Sequence, residues 1–174
     1  MTGDGSASPV LRVVLVVAAF VVGGVLAGVV WQAVWTPPTG LYLDEQWRVD
    51  SVGAPREVSG TGLYVVVAAA AGIVLGFAVS LLVRDRELLT LGAVALGSVL
   101  AGVVMSLTGH ALGPDDPRPL AAGKPDYTAE VSDLRVDGRS PYVAFPAGSL
   151  TAVAASFLLL ARSGGNGPVT EPDE

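Results

Sequence analysis

Four stretches of the chain are apolar for long enough to cross a bilayer, and polar segments of unequal length separate them. A hydrocarbon layer of about 30 Å needs roughly 20 helical residues at about 1.5 Å each. Val13–Trp31 carries no charge, and Thr61–Val83 and Leu88–Gly109 are split only by Arg84, Asp85, Arg86 and Glu87. That hinge is too short to recross a membrane, so the pair reads as a helical hairpin with its turn in water. The pattern predicts an all-α membrane protein: a four-helix transmembrane bundle with a small extracytoplasmic loop module containing short β-strands. The predicted spans are about 10–35, 62–83, 88–109 and 142–161, inside a membrane domain of 10–162. Tails at 1–9 and 163–174, small, polar and acidic, are expected to be disordered.

A secretory signal peptide is the rival reading of the first run. Signal apolar regions are about 7–15 residues long and end in a small-residue cleavage site. This run is longer and ends in Trp31-Gln32-Ala33-Val34-Trp35, which suits an interfacial aromatic belt better. A retained span is the expectation. Thr36-Pro37-Pro38 stops the helix, because proline lacks a donor and restricts the residue before it. The fourth run begins near Phe145, which places Pro146 in the first helical turn, where a missing donor matters little.

Between the spans the period changes. Leu41, Leu43, Trp47 and Val49 alternate with polar neighbours, which predicts one half-buried strand over Leu41–Asp50. Ser51–Gly60, with Gly53, Pro55 and Gly60, reads as loop. In the second long loop, Tyr127, Ala129 and Val131 alternate until the phase slips near Asp133, after which Leu134 and Val136 take over. Two short strands joined by a bulge would explain the slip. Arg48-Val49-Asp50 echoes Arg135-Val136-Asp137, too short to establish a duplication. It does suggest that the two loops, about 36–61 and 110–141, pair into one small sheet outside the membrane.

Composition agrees with a membrane location. The chain is 51% hydrophobic and only 15% charged, with mean hydropathy +0.59. Its net charge of −6 argues against nucleic acid as a partner. Without cysteine there are no disulfides, thiolate metal sites or Cys nucleophiles. Nine Arg stand against one Lys amid heavy Ala, Gly and Val usage, the signature of a GC-rich bacterial genome. Arg12, Arg84, Arg86 and Arg162 all hug a span on the side of the termini; the other side holds Arg48, Arg56, Arg118, Lys124, Arg135 and Arg139, of which Arg48, Arg118 and Lys124 lie mid-loop. A raw count of four against six would place the long loops in the cytoplasm, but density at the span ends favours the termini side. Positive residues next to short loops mark the cytoplasmic face. The expected location is the plasma membrane, multi-pass, with cytoplasmic termini.

Candidate chemistry is sparse. Apart from Arg12 at the very start of the first, no span holds Asp, Glu, Lys, Arg or His, and a mid-membrane charge costs about 2.5–3.5 kcal/mol on insertion scales, so chains that keep one generally use it. His110 precedes Asp115-Asp116, but one histidine and two adjacent carboxylates make a poor chelate, and an interfacial His with a turn is the plainer reading. There is no nucleophile elbow and no phosphate loop. No catalytic, cofactor or metal residues are assigned. Small residues do recur four apart: Gly24 and Gly28; Gly72 and Gly76 between Ala68 and Ser80; Gly97 between Ala93 and Ala101; Gly148 before Ala152. Such stripes let backbones approach in lipid. Packing within the bundle is the plainer use of them, and a homo-oligomer the other.

Leu41-Tyr42-Leu43-Asp44, Gly109–Pro114 and Tyr142-Val143-Ala144-Phe145-Pro146 carry a resemblance from the first span to the fourth. On these residues the chain resembles an actinobacterial family of small four-span membrane proteins built on a domain of unknown function. The resemblance implies the four-span plan and no catalytic residues. The function expected is a non-enzymatic structural or accessory component of the cell envelope. Its partners would be the lipid bilayer and an envelope membrane protein, with Trp47 and Arg48 as candidate contacts. The alternatives are a small oligomeric transport or channel subunit, and an enzyme acting on a lipid-linked substrate through Asp115 and Asp116.

Overall fold

A computed structural model describes residues 8–49, 54–82, 87–121 and 123–164. The hinge at Arg84–Arg86, the loop at 50–53 and most of both tails lie outside the described residues. Four long helices dominate: α1 (Pro9–Val34), α2 (Ala54–Leu82), α3 (Glu87–Leu112) and α4 (Ala144–Gly164). All four are long and apolar enough to cross a membrane.

Local chemistry explains the ends of the helices. Ser8 caps α1, its Oγ accepting from Leu11 N at 3.2 Å, and Pro9 follows where no donor is needed. At the other end Trp35 leaves helical geometry at ψ 140° ahead of Pro37-Pro38. A short 3₁₀ turn, Ser140–Val143, leads into α4, so Pro146 lies in the first turn of that helix.

α2 begins earlier than the sequence suggested: 54–60, expected as loop, is helical. Pro55 is compatible with a first turn, and Gly60 is a packing residue rather than a loop residue. Its carbonyl accepts the Trp31 indole N–H at 2.9 Å, and a Cβ there would stand 3.1 Å from Trp35 Nε1. Gly109 is likewise inside α3, because the Trp31 ring occupies the space its side chain would fill.

The helices form two tight parallel pairs, α1 with α3 and α2 with α4, and α1 and α2 meet only sparsely. A Cβ at Gly24 would lie 2.5 Å from Ala101 O, and one at Gly28 2.7 Å from Met105 O. Added methyls at Gly72 and Gly76 would strike the carbonyls of Phe145 and Ser149, and one at Gly148 the carbonyl of Ala69. Backbone-to-backbone contact of this kind is how helices associate where lipid removes the hydrophobic driving force. Phe20, Trp31, Tyr64, Val94, Met105 and Phe145 fill the centre, all fully buried.

At one end of the bundle both long loops meet in a three-stranded antiparallel sheet, order β2-β1-β3, of β1 (Thr39–Leu43), β2 (Gln46–Val49) and β3 (Ala129–Val131). The predicted single strand over Leu41–Asp50 is instead a hairpin. Asp44 and Glu45, at φ 50° and 58°, form a two-residue turn of the primed type that matches strand twist. The turn also changes which residues share a face. Tyr42 pairs with Trp47 and Leu41 with Arg48, so residues of opposite parity lie together. Tyr42, expected outside, is fully buried, while Leu41 and Leu43 are half-buried on the other face.

The loop-to-loop pairing is present, with Thr39 opposite Val131 and Leu41 opposite Ala129. The predicted bulge near Asp133 is not. The chain leaves the sheet after Val131, held by Ser132 N donating to Pro38 O at 2.8 Å, and turns Leu134 into the bundle core.

Candidate functional site: the sheet-bearing cap

The polar side chains of this molecule converge where the sheet meets the helix ends. Under it lies an aromatic cluster. Trp31 packs edge-on against Tyr64 with centroids 5.2 Å apart, and Tyr64 lies 5.7 Å from Tyr142. Each polar tip has a partner: Tyr64 Oη donates to Gly102 O at 2.8 Å, and Tyr142 Oη shares a 2.9 Å hydrogen bond with Ser106 Oγ. These contacts tie α1, α2, α3 and the 3₁₀ turn ahead of α4 together at one level. A buried phenol without a partner would be costly, which is why each sits beside a carbonyl or hydroxyl.

Above this cluster Arg118 organises the loops. Its Nη1 stands 2.9 Å from Asp133 Oδ1 and 3.1 Å from Asp116 Oδ1, and its guanidinium lies 5.3 Å above the Trp47 ring. The Asp133 side chain is only 3% exposed. A buried carboxylate requires a charge partner and hydrogen bonds, and Arg118 supplies both through Nη1. Tyr42 Oη donates to Pro117 O at 2.9 Å, fixing the sheet to the same segment. Asp44 N donates to Asp126 Oδ1 at 3.2 Å, and Asp137 N to Thr61 Oγ1 at 3.1 Å.

His110 and the two aspartates do not assemble. His110 Nδ1 lies 3.0 Å from Leu134 O, a hydrogen bond that places the proton on Nδ1. Asp116 is engaged by Arg118, through its backbone N at 3.0 Å as well as its guanidinium, and Asp115 is exposed. Among the described residues, no group of three His, Asp or Glu side chains could hold a metal ion.

Trp47 is half-buried beneath Arg118 and against Gly40, so it belongs to the cap's interior rather than to a contact surface. Arg48 is exposed on the opposite face. Gly24, Gly28, Gly72, Gly76 and Gly148 lie at backbone contacts within the bundle, and a Cβ at Gly97 would stand 3.1 Å from Phe20 Cβ. Arg118, Asp133, Tyr64 and Tyr142 were not singled out from sequence. Only the placing of Arg118 two residues after Asp116, among prolines at Pro114–Pro119, hints at the first of these.

Comparison with protein-family models, with curated proteins and with solved structures finds no match.

Proposed function

We propose that the chain is a multi-pass protein of a bacterial plasma membrane whose sheet-bearing cap lies outside the cytoplasm and whose termini lie inside. The single observation that carries this reading is the outer surface of the bundle. Val22, Leu26, Val66, Val74, Val99, Leu107 and Leu158 are all exposed on helices whose interiors are no more apolar than their exteriors. Water would not tolerate so continuous an apolar belt, whereas lipid matches it. Arginines beside the span ends at the terminal side favour that side as cytoplasmic, and the arginine-rich, lysine-poor composition supports a bacterial source.

The function is structural or accessory: the protein holds a small rigid cap at the outer membrane surface that binds another envelope membrane protein. The cap's interior charges support this reading, because Arg118, Asp116 and Asp133 are occupied with one another rather than turned toward a substrate. β2 and β3 are the edge strands, and exposed edges are templates for pairing with another chain. The family resemblance in the sequence belongs with this proposal.

Because the chain has no cysteine, single substitutions test orientation directly. Glu45→Cys and Ala129→Cys should react with a membrane-impermeant maleimide in intact cells, and Ser8→Cys only after permeabilisation. The opposite pattern overturns the orientation. A photo-reactive residue at Arg48 or Ala129 should give one defined adduct with a membrane protein. Absence of adducts together with ion or solute flux through vesicles holding this chain alone would replace the accessory role with a transport one.

A further inference from the structure

Between α1 and α2 the bundle is not closed. The two helices touch at Gly23, where an added Cβ would collide with Leu75 Cδ1, and meet again at the cap end, where the Trp31 indole donates to Gly60 O. The groove between them has a volume of about 440 Å³ and is walled by Leu26, Ala27, Val30, Val66, Ala70 and Val74, with no polar atom on its surface. Past Val66 it continues into a second hollow of about 570 Å³ at the cap end, whose rim includes Trp35, Thr36 and Ser59. Both volumes fall in the range of about 300–1,000 Å³ typical of ligand clefts, which combine apolar walls with a few polar groups that set orientation.

We propose that this groove holds one acyl chain of a membrane lipid from the leaflet nearest the cap, with the lipid's ester and headgroup region at the Trp35–Thr36–Ser59 rim. The proposal rests on the membrane reading above. Two features identify the occupant. The first is polarity: apolar depth and a mouth that includes Thr36 and Ser59 are complementary to one amphipathic molecule with its polar end toward the cap. Trp35 closes α1 at the level where interfacial tryptophans sit. The second is length. From Gly23 to Val34 the helix rises about 17 Å at ~1.5 Å per residue, close to one leaflet's half of a ~30 Å hydrocarbon layer. A partner helix would need a track through both leaflets and about 10 Å of width, but the Gly23–Leu75 contact ends this groove midway.

The test uses the full chain, purified from membranes in mild detergent and examined by native mass spectrometry. One phospholipid per chain should survive extensive detergent washing. Ala70→Phe, at an exposed position on the groove wall, should reduce that occupancy at least tenfold. Leu107→Phe, exposed on α3 away from the groove, should leave it unchanged. Retention of no lipid by the parent chain, or equal retention by Ala70→Phe, overturns the assignment. So does a doubled mass that Ala70→Phe abolishes, which would give the groove to a second copy.

If Ala70→Phe does not fold, a spin-labelled phospholipid in vesicles holding the parent chain decides the matter. A motionally restricted component saturating at one per chain is expected, and its absence overturns the proposal. A chain that stays folded without detergent would remove the membrane reading itself. A detergent-dependent chain with no retained lipid removes only the groove's occupant.

Discussion

Glu45 occupies a backbone conformation that most side chains avoid. At φ 58° it is the second residue of a primed turn, a position where Gly is preferred because its missing Cβ removes the clash with the neighbouring carbonyl. Glu45→Gly should therefore stabilise the hairpin by up to about 1 kcal/mol, the relief of left-handed strain outweighing the extra freedom of the unfolded glycine. A higher thermal midpoint in detergent, read from aromatic circular dichroism, is the expected result. Arg118 and Asp133 behave differently, because the cost of losing one partner depends on how deeply the other is buried. Arg118→Ala strands Asp133, whose side chain is 3% exposed, and should cost about 2–3 kcal/mol, at the low end for a broken buried pair because Arg118 itself is partly solvated. Asp133→Asn keeps an acceptor for Arg118 and leaves it paired with Asp116, so about 1 kcal/mol is expected. The reverse order in thermal unfolding would show that Arg118 is held mainly by Trp47.

At the level of elements, glycine packing and the apolar runs carry the fold, and they differ in how far sequence exposes them. The four runs are legible because a helix in lipid must be apolar along its whole length, whichever face it turns inward. The glycine stripes are legible as close-approach sites, but not in their pairing: nothing in the spacing of Gly72 and Gly76 says that α4 rather than α3 covers them. Gly60 and Pro55 misled because the same residues mark loops and helix starts, and only the Trp31 and Trp35 rings beside Gly60 distinguish the two. The Asp44-Glu45 turn lacks the Asn-Gly signature, so a hairpin reads as one strand and every side-chain assignment after the turn changes face. The cap's ion-pair cluster was hidden for another reason. Arg118 and Asp133 are separated by a loop whose course depends on where Leu134 buries, a tertiary fact with no local signal. The packing argument makes a paired prediction. Gly76→Ala forces a methyl onto the Ser149 carbonyl and should lower stability by about 1–3 kcal/mol. Gly92→Ala meets nothing within 4 Å and should be neutral or gain up to about 1 kcal/mol from helix propensity.

Taken whole, the molecule follows two different sets of packing rules. The cap obeys the rules of water: alternating strands, a buried charge with its counter-ion, exposed Arg48 and Asp115. The bundle inverts them, with Val74 and Val99 facing outward at 66% and 52% exposure and small residues such as Gly24, Ala101 and Ser149 at the contacts between helices. In a water-soluble bundle, replacing an exposed valine by arginine would be harmless and would improve solubility. In a bilayer the same change near the centre of a span costs about 2.5–3.5 kcal/mol of insertion free energy, because the guanidinium must be desolvated or reach for the surface. Val99 lies near the middle of α3, too far from either end for a long side chain to reach the interface without distorting the bilayer. Val99→Arg should therefore reduce the membrane-integrated fraction of newly made chain, measured by carbonate extraction, while Arg at exposed Ala129 on the cap leaves it unchanged. Equal extraction of the two variants and the parent would mean that α3 does not cross lipid, and the outward-facing valines would then need a protein partner to cover them.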